Sequence, residues 1–219
     1  TINQDGNLSV TNALTNNGTL NVNATSSADV DTFVGATTGI VDIDGGETLT
    51  LNQSGNSTYS GTITGDGGFT KAGTGELTLS GAADNSAVNL KGGTFKLGAD
   101  NPIANTTQVN FNGGTFDTND FNEGDASTSG SGIGTLNLMN DSTIDFSGTA
   151  DILQFLDDNG STSGKILTIE NWSGDPVNGG GAGGFDRLLV ETDLSSSSAI
   201  GLANYNFDGF GGVDAKVIN

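Results

Sequence analysis

Three pairs of acidic residues are close enough in the sequence to suggest hydrolytic chemistry. They are Asp42 with Asp44, Asp117 with Asp120, and Asp157 with Asp158. Two carboxylates at a fixed separation are all that a glycosidase needs. The chain has no histidine and no cysteine, which excludes the nucleophile–base pairs of other hydrolases. Outward Asp side chains also keep a protein surface solvated, so we predict no catalytic residues and no enzyme.

Calcium is the only metal that the sequence suggests. The segment Asp42-Ile43-Asp44-Gly45 begins like an EF-hand loop but lacks the glutamate at the twelfth position and the helical flanks. The segment from Gly180 to Asp186 approaches a calcium-binding nonapeptide, with its Asp one place late and no second copy. A turn and a glycine-rich loop explain the two segments better than calcium binding does, so we predict no cofactor and no metal ligand.

Three aromatic residues could form a platform on which a sugar stacks. These are Tyr59, Trp172 and Tyr205. For Trp172 we favour packing, because Ile169 and its neighbours alternate as they do in a strand with one face buried.

Charge and composition limit the partners. Twenty-six acidic residues against six basic ones give a formal net charge of −20, which repels nucleic acid and anionic membranes. No stretch approaches the ~20 apolar residues of a membrane span. A hydrophobic content of 33% is low for a compact globule and suits a solenoid with a narrow core.

Short strands between glycine corners recur along the chain. Leu77, Phe95, Phe116 and Leu136 follow one another after 18, 21 and 20 residues, and a period near twenty is typical of parallel β-helix coils. The alternation predicts a set of side chains that point inward and stack on successive coils: Leu77, Leu79, Phe95, Leu97, Val109, Phe111, Phe116, Leu136 and Leu138. Thr78, Lys96, Asn110 and Asn137 should point outward.

Two segments carry a family resemblance. The runs Thr58-Tyr59-Ser60-Gly61-Thr62-Ile63 and Lys71-Ala72-Gly73-Thr74-Gly75-Glu76-Leu77-Thr78-Leu79-Ser80-Gly81 resemble the autotransporter-associated β-strand repeat of bacterial surface proteins. The likeness covers about residues 47–97. An Asn-Trp-Ser-Gly strand, a glycine loop and an Asp-Arg-Leu strand near the end resemble the C-terminal segment of the same proteins. The resemblance implies export, so we expect an extracellular or cell-surface chain that is processed after export.

The predicted fold is an all-β solenoid, a right-handed parallel β-helix with an irregular β-rich C-terminal end. Residues 1–146 form the repeat region and residues 147–219 the strand-rich end of the same elongated domain. Residues 124–132 should form a loop at one corner. The stretch 152–156 could be a strand or a helical turn, 165–172 and 187–190 should be strands, and 194–207 could include a helical turn.

A fold of this kind also occurs in polysaccharide lyases, which need a basic residue as proton acceptor. The candidates Lys71, Lys91, Lys96 and Arg187 form no cluster in the sequence. A polysaccharide-cleaving enzyme is therefore our third choice.

Our first choice is a structural extracellular subunit that joins end to end into a homopolymer. Strand-like residues begin as early as Leu8 and Val10, without a capping helix, and an uncapped solenoid end exposes N–H and C=O groups that recruit other strands. The alternative is a passenger-type adhesin that binds a glycan or the extracellular matrix.

Overall fold

The computed structural model describes residues 1–5, 8, 10, 12–125, 128–148, 150–161, 164–173, 185–191 and 205–207 of the 219. Within these residues the secondary structure is strand, and no helix occurs. In this part of the chain there is accordingly no helix long and apolar enough to cross a membrane.

Twenty short strands follow one another along the chain. They are β1 (Ile2–Gln4), β2 (Ala13–Thr15), β3 (Thr19–Val22), β4 (Ser26–Val30), β5 (Thr32–Val34), β6 (Ile40–Ile43), β7 (Thr48–Gln53), β8 (Ser57–Tyr59), β9 (Thr62–Ala72), β10 (Glu76–Leu79), β11 (Ala83–Leu90), β12 (Thr94–Leu97), β13 (Gln108–Asn112), β14 (Thr115–Asp117), β15 (Ile133–Asn140), β16 (Ser142–Asp145), β17 (Ile152–Ser161), β18 (Leu167–Glu170), β19 (Arg187–Val190) and β20 (Tyr205–Phe207).

The strands pair in parallel and build two main sheets. The large sheet has eleven strands and runs from β1 through β3, β6, β9, β11, β13, β15 and β17 to β19, with β4 and β7 joined to it through β9. The second sheet has seven strands in the order β20-β18-β16-β14-β12-β10-β8, and β2 pairs with β5 in a small third sheet. From β7 onwards, successive strands alternate between the two main sheets, so that each coil contributes to both. The molecule is a β-solenoid of about seven turns. The predicted fold class is confirmed.

The predicted inward side chains are buried, and the inward and outward assignments are confirmed. All nine are at most 1% exposed. Thr78, Lys96, Asn110 and Asn137 lie on the outer faces and are half-buried. Leu77 pairs with Phe95, and Phe95 with Phe116.

The last step of the predicted period is wrong. Phe116 pairs with Ile144 in the second sheet, whereas Leu136 pairs with Val109 in the large sheet. The loop that precedes β15 adds residues to this coil. As a result, Phe116 and Leu136, which are 20 residues apart, belong to two different columns. Gln154 and Glu191 hold the loop: the Gln154 side chain accepts from the Asp125 N–H at 3.0 Å, and Glu191 accepts from the Gly130 N–H at 2.7 Å.

One corner of the solenoid is closed by stacked glycines. A Cβ on Gly81 would overlap the carbonyl oxygen of Gly61, and a Cβ on Gly61 would overlap that of Gly39. Only a residue without a side chain allows coils to approach this closely. The glycine corners predicted from the sequence therefore have a steric cause.

The chain beyond Phe146 continues the same sheets. Residues 152–156 belong to strand β17 and not to a helical turn. The strands predicted at 165–172 and 187–190 are present as β18 and β19. Most of the predicted helical turn at 194–207 lies outside the described residues, and its last part is strand β20. At the other end, β1 begins at Ile2, and the residues beside Leu8 and Val10 are outside the described part.

Phe116→Ala should test the inward columns. Phe116 is fully buried and contacts Phe95 and Phe111, so we expect a loss of about 3–5 kcal/mol in the free energy of unfolding. Thr115→Ala changes the half-exposed neighbour on the same strand and should cost less than about 1 kcal/mol. Urea denaturation of both variants measures the difference. Equal losses would mean that the inward and outward columns are wrongly assigned.

Candidate functional site

Two of the predicted carboxylate pairs do not form an acid–base site. Asp42 lies on the outer face of β6 beside Asn21 and Thr64, and Asp44 lies in the exposed turn that follows. Asp157 is exposed, whereas Asp158 is buried on the inner side, in register with Leu136. Since successive residues of a strand point to opposite faces, Asp157 and Asp158 cannot act on one substrate.

In the remaining pair, Asp117 and Asp120, the Asp117 carboxylate is held by contacts with neighbouring side chains and backbone. One of its oxygens accepts from the Asn119 N–H at 2.8 Å and the Ser147 hydroxyl at 2.5 Å, and the other lies 3.1 Å from Lys96 Nζ. Lys96 also lies 3.6 Å from Glu76. Burial disfavours the charged amine, but Asp117 and Glu76 outweigh this effect and raise the pKa of Lys96. Lys96 is therefore paired and poorly suited as a proton acceptor.

Three carboxylates meet at the corner that follows β14: Asp120, Asp151 and Asp186. Sequence reasoning named Asp120 and Asp186 in separate candidate sites and missed Asp151. Asp120 lies in a turn at a positive φ of 62°. Asp151 accepts from the Thr118 hydroxyl at 2.6 Å. Burial raises the pKa of Asp151, and the charges of Asp186 and Asp120 raise it further. Asp186 accepts from the Asp151 N–H at 2.9 Å and the Ser173 N–H at 2.7 Å, so its carboxylate links successive coils.

The calcium candidates do not form a metal centre in the described part of the chain. There, no group of three or more His, Cys, Asp or Glu side chains is arranged to hold a metal ion. Asp44 begins a turn in which its carbonyl accepts from the Glu47 N–H at 3.0 Å. The segment 180–184 lies outside the described residues, and the Asp186 that follows it is buried among backbone N–H groups.

Lys71 lies in the core and not on the surface. It occupies an inward position of β9, in register with Leu51 on one coil and Leu90 on the next. Its fully buried ammonium group donates to the Ala72 carbonyl at 2.9 Å and the Gly92 carbonyl at 3.3 Å. Burial lowers the pKa of Lys71 to about 8. The sequence could have predicted the inward position of Lys71. Phe69 and Lys71 are two residues apart on one strand and therefore lie on the same face.

The remaining basic candidates do not join their side chains to Lys71, although the Lys91 N–H donates to the Lys71 carbonyl at 2.8 Å. Lys91 is exposed just after β11, and Arg187 is half-buried at the start of β19. With Lys96 on β12 and paired to two carboxylates, the four basic residues occupy different strands or corners. The arrangement offers no proton acceptor supported by other cations.

Glu123 is a buried acid that sequence reasoning missed. It bridges to Leu153 on the next coil, and its Oε2 accepts from the Ile103 N–H at 3.1 Å. Its Oε1 is buried and has no hydrogen-bond partner among the described residues. Burial raises the pKa of Glu123 to about 8; the Ile103 N–H opposes this shift and the Asp100 charge adds to it. Glu123 therefore carries its proton at neutral pH.

Two of the three aromatic candidates, Tyr59 and Trp172, pack against other aromatic rings. Tyr59 is fully buried and stacks on Phe33 with ring centroids 4.2 Å apart, so its predicted role as part of a sugar-stacking platform is wrong. Burial raises the pKa of Tyr59 to about 12. Trp172 is half-buried and packs edgewise between Phe146 and Phe207 at 5.1 and 5.2 Å, which confirms the packing prediction. The side chain of Tyr205 lies outside the described residues.

The open edge of β1 is the feature with the clearest capacity for association. The Gln4 carbonyl accepts from the Asn23 N–H at 2.9 Å, so the backbone groups of Gln4 face the solenoid. Backbone groups of successive strand residues point to opposite sides, and those of Asn3 therefore face away from β3. None of the described residues pairs with this side of β1, where the Ile2 side chain is 63% exposed.

Comparisons with known proteins identified no relative of this chain. No family model, no curated protein and no solved structure matches this sequence. The likeness to the autotransporter-associated repeat therefore depends on the residues quoted above.

Glu123→Gln should change how stability depends on pH. The pKa of Glu123 is about 8 in the fold against 4.5 as its ordinary value, so folding favours the protonated form. This stabilisation is complete below about pH 4.5 and is lost as the pH rises to about 8. The slope is at most about 1.4 kcal/mol per pH unit. Glutamine mimics the protonated acid and should remove this slope.

Urea denaturation at several pH values measures the difference between Glu123→Gln and the parent chain. Glu170→Gln controls for the loss of one negative charge, because Glu170 is half-exposed on the outer face of β18. The assignment fails if the stability difference between Glu123→Gln and the parent chain is the same at every pH.

Removal of divalent cations should leave the fold intact. The carboxylates of Asp117, Asp151 and Asp186 accept hydrogen bonds from protein groups, so they do not require a cation. We expect the same Tm with and without EDTA. A lower Tm in EDTA that calcium restores would identify a metal site and contradict this expectation.

Proposed function

We propose that this protein is a structural extracellular subunit that joins end to end with copies of itself. The observation that carries the proposal is the open edge of β1, where Asn3 presents an N–H and a C=O to a further strand. An unpaired strand edge recruits another chain unless something covers it. The exposed side chain of Ile2 adds apolar surface at the same place.

The direction of the strands supports a head-to-tail joint. In the described part, the large sheet begins with β1 and ends with β19, and each pairing between them is parallel. The β19 strand of one copy can therefore continue into β1 of the next without a change of direction. A contact between two different surfaces that does not close into a ring produces an open filament.

The extracellular location depends on the family resemblance, which implies export and processing. Two alternatives have less support. An adhesin that binds a glycan would lack Tyr59 as a stacking surface, because that ring is buried against Phe33. A polysaccharide-cleaving enzyme would need a proton acceptor, and Lys71 is enclosed in the core while Lys96 is paired.

Asn3→Pro should block end-to-end growth. Proline removes the N–H that faces away from β3 and is tolerated at a strand edge, so the pairing of β1 with β3 should persist. Asn3→Ala is the matched control, since it also removes the 2.8 Å hydrogen bond from the Asn21 side chain but keeps the N–H. Sedimentation velocity and electron microscopy should show filaments for the parent chain and Asn3→Ala, and folded single subunits for Asn3→Pro.

Two outcomes would contradict the proposal. One is a parent chain that stays monomeric at high concentration. The other is an Asn3→Pro variant that forms filaments as readily as Asn3→Ala, which would place the joint elsewhere. Circular dichroism confirms that each variant is folded.

A further inference from the structure

One face of the solenoid has no carboxylate, although the chain has 26 acidic residues. We call it the neutral face. It consists of the outward side chains of β7, of residues 68–72 and 87–90, of β13 and of the second half of β15. These are Thr48, Thr50, Asn52, Gly68, Thr70, Ala72, Ala87, Asn89, Gln108, Asn110, Asn112, Thr135, Asn137, Met139 and Asn140.

Acidic residues mark both ends of this face. On the coil before it, Asp29 of β4 pairs with Asn52. On the coil after it, Asp157 of β17 pairs with Thr135. Lys91, exposed just after β11, adds a positive charge at its margin, where Glu47 and Asp141 also adjoin Thr48 and Asn140 in the sequence. Elsewhere the outer surfaces carry acids, such as Asp42 on β6 and Glu170 on β18.

The side chains in the middle of the neutral face are already ordered. Asn137 Nδ2 donates to Asn110 Oδ1 at 2.8 Å, and Asn110 Nδ2 donates to Asn89 Oδ1 at 2.6 Å. Asn89 Nδ2 continues the ladder to Thr70 Oγ1 at 3.2 Å. A second ladder joins Asn140 to Asn112. Ordered side chains lose little conformational entropy when a partner binds.

The chemistry of the neutral face matches that of a polar zipper between sheets. Parallel in-register strands, asparagine ladders and small side chains allow two sheets to interdigitate closely. Here Ala87 supplies a half-buried small position, and Gly68, Thr70 and Ala72 are buried between the neighbouring coils. Asn110 and Asn137 each use one N–H in the ladder, which leaves the second N–H of each amide for a partner.

We propose that the neutral face binds the same face of a second copy of this chain. With a net charge of −20, two copies repel each other where acidic surfaces meet, and the neutral face is where this repulsion is smallest. A two-fold axis through the face pairs it with itself. The face has no aromatic residue on which a sugar could stack, which favours a protein partner over a neutral glycan.

The size of the face predicts a weak pair. The face has three outward columns on five coils. With the usual rise per residue and spacing between strands, it covers roughly 400 Å² per copy. This is about half of the ~800 Å² per partner in a standard interface. Pairs of single subunits should therefore form only at high concentration. Subunits joined end to end would repeat the contact and gain from effective concentration.

The test uses the full chain with Asn3→Pro, so that end-to-end growth does not contribute. Sedimentation equilibrium up to about 1 mM should show a monomer–dimer equilibrium. Added salt should strengthen the dimer, because it screens the repulsion between the acidic copies. Dimers of the Asn3→Pro variant would support self-association through the neutral face, even if the parent chain forms no filament.

Gln108→Glu places a charge on the neutral face. The Gln108 side chain makes no hydrogen bond with another described residue, so the fold should tolerate the change. We expect the dimerisation constant at low salt to fall at least about tenfold, since like charges then oppose each other. Thr58→Glu is the matched control. It adds the same charge at an exposed position of β8, on the second sheet, and should weaken the dimer much less.

A second measurement does not depend on charge. The chain has no cysteine, so Asn89→Cys introduces a single thiol at the centre of the neutral face, on the third of its five coils and in the middle column. A two-fold axis brings this position close to its own copy, so Asn89→Cys should form an intermolecular disulfide under mild oxidation faster than Thr58→Cys. The proposal is overturned if the chain stays monomeric at both salt concentrations or if Thr58→Glu weakens the dimer as much as Gln108→Glu. A monomer that binds neutral glycans through Gln108 would also overturn it, with a glycan as the partner.

Discussion

Parallel in-register pairing of one coil on the next is the interaction on which this structure depends. Because each strand lies ~4.8 Å from its neighbours, a side chain on one coil contacts the equivalent side chains above and below it. Apolar residues thereby form continuous inward columns, as in Leu77, Phe95 and Phe116. The same geometry aligns outward residues, and this produces both the asparagine ladder and the acidic surfaces beside it.

Lys71 and Glu123 are two of the ionisable groups that the fold buries, and each is tolerated for a different reason. Lys71 is placed between Leu51 and Leu90, and its ammonium group is satisfied by two carbonyls. Glu123 has one oxygen without a partner among the described residues, so burial keeps it protonated. At neutral pH both groups reduce the free energy of unfolding, because the unfolded chain would favour the charged form of each. A column of otherwise apolar residues offsets this cost.

The alternation of apolar and polar residues was sufficient to predict the solenoid and the side that Leu79, Phe95 or Val109 faces. It was not sufficient to assign side chains to columns after residue 124. The inserted loop changes the number of residues between equivalent positions of successive coils. Contacts between distant residues, such as Asp186 with Asp151, depend on how the coils stack and leave no local pattern. The position of Glu123 was missed because a lone acid near a turn normally indicates a solvated corner.

The stacked glycines at Gly39, Gly61 and Gly81 divide the chain into segments of 22 and 20 residues, each of which makes one circuit. A duplication or deletion from one of these glycines to the next would lengthen or shorten the rod by one coil, ~4.8 Å, and leave every other residue on its own face. A cut between residues that are not in register would shift the inward columns. Gene rearrangement can therefore change the length of this rod one circuit at a time while its cross-section stays the same.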